Sequence, residues 1–181
     1  MVVDWFYTLH AVKMWWKNEE GLAAIEAAML FPVMMTLMLG SYDLGTGIVL
    51  NGRTITATQV AADLISRDKT VNQADVNDII MAAQLAYEPF GLRDFGIDIV
   101  SVEFDSQRRP QVLWRETRDM SANNNALENI QGMGDQGDGM IIVTVEYTYK
   151  PLFAKYFTGE MKMVETAYSR GRRSPTVEWE G

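Results

Sequence analysis

The sequence predicts an α+β fold: a long N-terminal helix, transmembrane and then amphipathic, packed on an antiparallel sheet of about four strands. Three observations predict it. Residues 27–42 carry no charge. From Leu50 to Leu64 the apolar residues return at helical spacing. After Phe90-Gly91 the apolar period shortens to two. With 181 residues, the chain is long enough for one domain and an additional segment.

The elements follow in order. Residues 1–21 mix Asp4, His10, Lys13, Lys17, Glu19 and Glu20 with Trp5, Phe6, Tyr7, Trp15 and Trp16. Trp and Tyr collect at membrane–water boundaries, where an apolar ring keeps a polar edge wet. The pair Trp15-Trp16 therefore reads as interfacial, ahead of an apolar span. The uncharged stretch AAMLFPVMMTLMLGSY runs from Ala27 to Tyr42. Counted from Leu22, the span is about 31 Å of helix at 1.5 Å per residue, the thickness of a hydrocarbon core of roughly 30 Å. A secretory signal and a buried helix compete with the membrane span. A cleaved secretory signal would have a basic leading region, whereas residues 1–21 set two lysines against three acids, and LGSYDLG offers no clear A-x-A site. A buried core helix of a soluble protein would show a polar face.

Beyond Asp43 the helical signal continues. Leu50, Ala57, Ala61 and Leu64 fall on one stripe, with Val60 and Ile65 beside it. Gly45 and Gly47 are expected to loosen the helix between its two halves. DKTVNQ punctuates, and a further helix is expected over 72–87 with Val76, Ile79, Ile80 and Leu85 as its apolar side. IDIVSVEF (97–104) and QVLWRET (111–117) read as strands around a turn at SQRRP. In MIIVTVEYTY (140–149), Ile141, Val143, Val145, Tyr147 and Tyr149 face one way, and Thr144, Glu146 and Thr148 the other. MKMVETAYSR (161–170) is a fourth strand. Such a sheet can lay one face on a helix. Residues 119–139 are rich in Asn, Gly and Asp and are expected to form a mobile surface connection, with one short helix in ANNNALENI. Asp135 and Asp138 hint at calcium there, but fit neither the EF-hand spacing nor the glycine-rich nonapeptide repeat. The tail GRRSPTVEWEG is expected to be disordered or loosely docked. The domain plan is a leader over 1–21, a transmembrane helix continuing as an amphipathic one over 22–66, and an α+β domain over 67–181.

Composition narrows function. The net charge of −8 argues against a nucleic-acid partner, which needs clustered Lys and Arg. The absence of cysteine excludes disulfides and thiolate metal sites. The one histidine, His10, leaves the main body without Ser-His-Asp or Cys-His catalysis or a histidine zinc site. No pair of acids has a diagnostic spacing. No catalytic residue, metal, cofactor or small-molecule substrate is expected, and the chain reads as not an enzyme.

One residue resists the bland reading of the span. A carboxylate inside a membrane segment costs on the order of 2.5–3.5 kcal/mol and is usually paired, yet no Lys or Arg lies one turn from Glu26. Were the bond between Gly21 and Leu22 cut, the new α-amino group of Leu22 would stand four residues before Glu26, about 6 Å along a helix axis. That amine could serve Glu26 of the same subunit or of a neighbour. The alternative is that Glu26 marks the wet cytoplasmic edge of the span.

Gly21 followed by Leu22-Ala23-Ala24-Ile25-Glu26 resembles the processing site of type IV prepilins. There a membrane-embedded aspartic peptidase cuts after the glycine, and a glutamate stands fifth in the mature chain. The wider stretch through Ala27, Ala28 and Pro32 resembles TadE-like proteins of the tight-adherence (Flp/Tad) pilus system. Val145-Glu146-Tyr147-Thr148-Tyr149-Lys150-Pro151-Leu152 is similar to their aromatic strand ending in proline. Ala167-Tyr168-Ser169-Arg170 through Arg173-Ser174-Pro175 is similar to their closing strand and basic end.

The resemblance implies a pilin-like fold and a minor pseudopilin that helps to initiate or cap a pilus involved in cell adhesion. It implies processing at Gly21 and Leu22, with Glu26 as the assembly carboxylate. Ala23, Ala24, Ala27 and Ala28 supply small faces on which helices approach closely, and the resemblance counts Pro32 among the helix-packing positions. The implied partners are other pilins and pseudopilins, the inner-membrane assembly platform and the prepilin peptidase. The implied place is the bacterial inner membrane, single-pass, with a periplasmic C-terminal domain that can be incorporated into the pilus. Lysine and arginine bias alone does not set the orientation; the peptidase, which acts on the cytoplasmic side, does. Two alternatives stay open: a type II secretion-like pseudopilin, and a signal-anchored periplasmic binding domain with no pilus role.

Overall fold

The computed structural model describes residues 20–92, 94–153 and 159–180. The expected leader up to residue 19, with His10, Trp15 and Trp16, lies outside them. The elements are α1 (Glu20–Ile65), β1 (Thr70–Val71), α2 (Gln73–Leu85), β2 (Phe95–Phe104), β3 (Pro110–Arg118), α3 (Asn124–Glu128), β4 (Gly139–Tyr149), β5 (Met161–Ser169) and β6 (Glu178–Trp179). A long apolar helix followed by an antiparallel four-stranded sheet is the predicted α+β architecture. The chain divides into two compact units, residues 1–42 and 43–181. Residues 20–42 of α1 fall in the first and residues 43–65 in the second.

In the first unit the helix is apolar on every side. Every residue from Gly21 to Met34 is exposed. Pro32, which lacks an N–H, sits inside the helix without ending it. Thr36 and Ser41 turn their hydroxyls back onto the carbonyls of Pro32 (2.8 Å) and Leu37 (2.7 Å). They hide their polarity against the backbone rather than presenting it outward. Helix α1 runs unbroken through Gly45 and Gly47.

In the second unit α1 acquires an inner face. Leu50, Ala57 and Ala61 of the predicted stripe are buried, but its fourth member, Leu64, is only half-buried; of the two residues expected beside it, Ile65 is buried and Val60 half-buried. Thr54 and Thr58 lie on the same buried face. They are tolerated because each hydroxyl donates to the carbonyl four residues back, at 3.0 and 2.7 Å. The Tyr87 hydroxyl then donates to Thr54 Oγ1 at 3.0 Å. The Tyr87 ring stacks on Tyr147 with centroids 4.6 Å apart and meets Phe95 edge-on. Burial pushes the Tyr87 phenol up to about 12.

Helix α2 starts on a capping box. The Asn72 side chain accepts from the N–H groups of Ala74 and Asp75, and the Asp75 carboxylate accepts from the Asn72 N–H. Its inner side is Val76, Ile79, Ile80 and Ala83; Leu85, expected inside, is exposed.

The sheet has the order β3-β2-β4-β5, antiparallel throughout. Ile141, Val143, Val145, Tyr147 and Tyr149 of β4 face α1 and α2, as their alternation predicted. The central strands β2 and β4 are buried on both faces, whereas the edge strands β3 and β5 are only partly covered. The edge strand β3 carries a bulge: Trp114 pairs with Ser101 and Val112 with Val102, which leaves Leu113 as the extra residue.

Two expectations need correction. Residues 119–139 are not a free connection. Ala126 and Ile130 are buried against Val100, Val102, Phe104, Met140 and Ile142, making a second core on the outer face of the sheet. The fit is close: a Cβ at Gly134 would overlap the Phe104 ring. The tail is not loose either. The Arg172 N–H donates to the Ser66 carbonyl at 2.8 Å, and β6 pairs in parallel with β1. Val177 is fully buried, and its carbonyl accepts from Ser101 Oγ (2.7 Å) and Trp114 Nε1 (2.8 Å). Low local hydrophobicity pointed away from order in both segments. What holds them is a set of donors and apolar side chains from distant strands.

Candidate functional site

Composition directs attention to the span and the carboxylates around it. Helix α1 is long and apolar enough to cross a membrane, and none of its most apolar window is buried within the structure. Gly21, Leu22, Ala23, Ala24, Glu26, Ala27, Ala28 and Pro32 all lie in this helix and are exposed. Leu22 and Glu26 are one turn apart on one side of the helix. Ala23 with Ala27, and Ala24 with Ala28, form two adjoining small-residue lines on the opposite side. Among the described residues Glu26 has neither an ion pair nor a hydrogen bond within the chain. The structure thus sets the predicted residues on one continuous helix and surrounds the carboxylate with apolar side chains such as Ile25, Met29 and Leu30.

A second carboxylate was not singled out from the sequence. Asp43 is the first charge after the uncharged run and is fully buried. Its Oδ1 accepts from Tyr149 Oη at 3.2 Å and from the Leu152 N–H at 3.1 Å; its Oδ2 accepts from the Phe153 N–H at 2.7 Å. Asp43 therefore clamps the end of β4 and the turn after it onto α1. The signal that could have found it was its place, directly at the end of the apolar run. Its partners, more than a hundred residues later in the chain, carry no local mark.

A third carboxylate, Asp98, lies under the 119–139 segment and is almost completely buried. Arg115 reaches it with Nε at 2.8 Å and Nη2 at 2.5 Å, Thr117 Oγ1 donates at 2.7 Å, and the Asn123 N–H at 2.9 Å. Burial works to raise this carboxyl, but the donors and the Arg115 charge outweigh burial and hold it below the ordinary value. The network pins the start of the covering segment to the sheet. It is fully satisfied, as is every buried side-chain polar atom among the described residues. The calcium candidates are engaged by arginines: Asp135 pairs with Arg108 at 2.6 Å, and Asp138 lies 3.8 Å from Arg170. Among the described residues no cluster of three or more acids or histidines is shaped to hold a metal.

A family model described as TadE-like protein matches residues 21–63. The match begins at the predicted processing glycine and covers nearly all of α1. It is consistent with a TadE-like protein of the tight-adherence pilus system. No curated protein and no solved structure matches the chain.

Proposed function

We propose that this chain is a minor pseudopilin that takes part in initiating or capping a tight-adherence pilus. Its first residues are a cytoplasmic leader removed after Gly21, residues 22–42 cross the inner membrane, and the unit from Asp43 onward folds in the periplasm. It performs no catalysis and takes no cofactor; its partners are other pilins and pseudopilins, the assembly platform and the prepilin peptidase.

One observation carries this reading. Glu26 stands one turn from Leu22 on a largely apolar stretch of helix exposed throughout residues 21–34, with no partner of its own among the described residues, inside the segment that the family model matches. A charge so placed in lipid costs on the order of 2.5–3.5 kcal/mol. The α-amino group released at Leu22 is a cation within reach, on the same or a neighbouring subunit. The alanine lines on the opposite side of the helix let a second helix approach closely there.

The direct test is intact-mass analysis of protein made together with its peptidase. A chain beginning at Leu22 is expected, and Gly21→Asp should prevent the cut. A chain that still begins at Met1 beside a demonstrably active peptidase would remove the prepilin reading and favour a signal-anchored domain. Orientation is tested by a phosphatase fused after Arg170, which should be active.

A further inference from the structure

We infer that the turn Pro151–Phe153 is a lipid-contacting tip that seats the folded unit on the membrane surface; this rests on the reading of residues 22–42 as the spanning helix. Asp43 directly follows Tyr42, the last uncharged residue of the run. Where the span ends, Asp43 therefore stands at the boundary of lipid and water. Its carboxylate holds the N–H groups of Leu152 and Phe153, at 3.1 and 2.7 Å. The turn is tied to the level at which the helix leaves the membrane.

The chemistry of the turn suits that level. Leu152 is 62% exposed and Phe153 44% exposed. A backbone N–H carried into a lipid interface without a partner costs free energy. Here three consecutive residues present no free N–H: proline has none, and the next two are bonded to Asp43. What remains outward is apolar side chain, the type that enters the boundary of headgroups and acyl chains to a depth of about 5–10 Å. The adjacent cation is already engaged, since Lys150 lies 2.5 Å from Asp94 and 3.7 Å from Glu160. The contact is therefore apolar insertion rather than attraction to anionic headgroups, and zwitterionic lipid is enough for it.

The chain has no cysteine, so one introduced cysteine reports one position. Full-length protein carrying Leu152→Cys with an environment-sensitive fluorophore is reconstituted in phosphatidylcholine vesicles whose acyl chains are brominated at shallow or deep carbons. Met38→Cys, inside the span, and Gln107→Cys, on the exposed turn between β2 and β3, are the references. Position 152 should lose fluorescence to shallow bromine, position 38 to deep bromine, and position 107 to neither. Adding Asp43→Ala should abolish the loss at 152. If 152 behaves as 107 while 38 is quenched, the tip is overturned and the spanning reading stands. If 38 is unquenched, the spanning reading fails and takes the tip with it. A label at 152 that is shielded from water yet indifferent to bromine places a second copy there, and also overturns the tip.

Discussion

The two halves of α1 are one helix built for two surroundings. From Gly21 to Met34 no side chain is covered; from Asp43 to Ile65 a stripe of small and apolar residues disappears into a core. Each half also carries a carboxylate among apolar groups. Asp43 takes its donors from its own chain, at Tyr149, Leu152 and Phe153. Glu26 has no such donors among the described residues. The difference teaches where each half is completed. A charge in apolar surroundings is stable only when its lone pairs are met. The Asp43 half is finished by folding, whereas under the proposed function the Glu26 half is finished by the amine released at Leu22, on the same or a neighbouring subunit.

The sharpest way to break that comparison is Glu26→Ala. It should insert in the membrane at least as well as wild type and still be cut after Gly21. It should nevertheless fail to cross-link to pilus partners, because a buried amine is then left unpaired. Glu26→Gln should fail less completely, since an amide still accepts a hydrogen bond. Normal cross-linking and normal pili with Glu26→Ala would reduce Glu26 to the wet edge of an anchor.

Next in size are changes that leave the chain's own donors unmet. Removing residues 174–181 strips the acceptor from Ser101 and Trp114, at about 1–3 kcal/mol for each buried donor, and opens the space of Val177. A fall in melting temperature of many degrees is expected, and an unchanged transition would mean that the tail contributes nothing. Asp43→Ala should likewise lower the transition, because two N–H groups and a tyrosine hydroxyl lose their acceptor. Glu26→Ala should leave the same transition where it is.

Asp98→Asn should cost about 3 kcal/mol at neutral pH, in the range for removing one partner of a buried ion pair. Its sign with pH is determined. The folded carboxyl lies below the ordinary aspartate value near 3.8, so its contribution is full above that value and is lost as the pH falls through the folded one. The stability gap between wild type and Asp98→Asn should therefore close only in acid, below about pH 4. A gap that closes near neutrality would point to another group.

The smallest effect tests the covering segment. Gly134→Ala forces a methyl group against the Phe104 ring and should cost about 1–3 kcal/mol, as overpacked cores do. Thermal melting that is indifferent to this change would restore a mobile 119–139 connection.

Much of the fold was legible along the chain. Two helices and four strands follow from periodicity, because burial of one face imposes a repeat of 3.6 or 2 on the residues themselves. That Gly21 to Pro32 lie on one helix was legible too, since they are neighbours in sequence. Leu85 was misplaced by that reading: it stands half a turn round α2 from Val76, away from the buried face of Val76, Ile79, Ile80 and Ala83, and is exposed.

The short helix within 119–139 was legible, but the docking of that segment, the docking of the tail and the partners of Asp43 were not. Each is stabilised by groups far away in sequence: Val177 by Trp114 and Ser101, Asn123 by Asp98, Asp43 by the turn after β4. Local pattern reports which face of an element avoids water. It says nothing of which distant donor meets a given oxygen. So the run of residues settled a helix fit for lipid with one unanswered carboxylate, and the packing of sheet, segment and tail settled that its second carboxylate is answered from within. The reason is that hydrophobic burial acts on every residue of a face alike, while a hydrogen bond to a buried charge exists only where the folded chain brings the two atoms within about 3 Å.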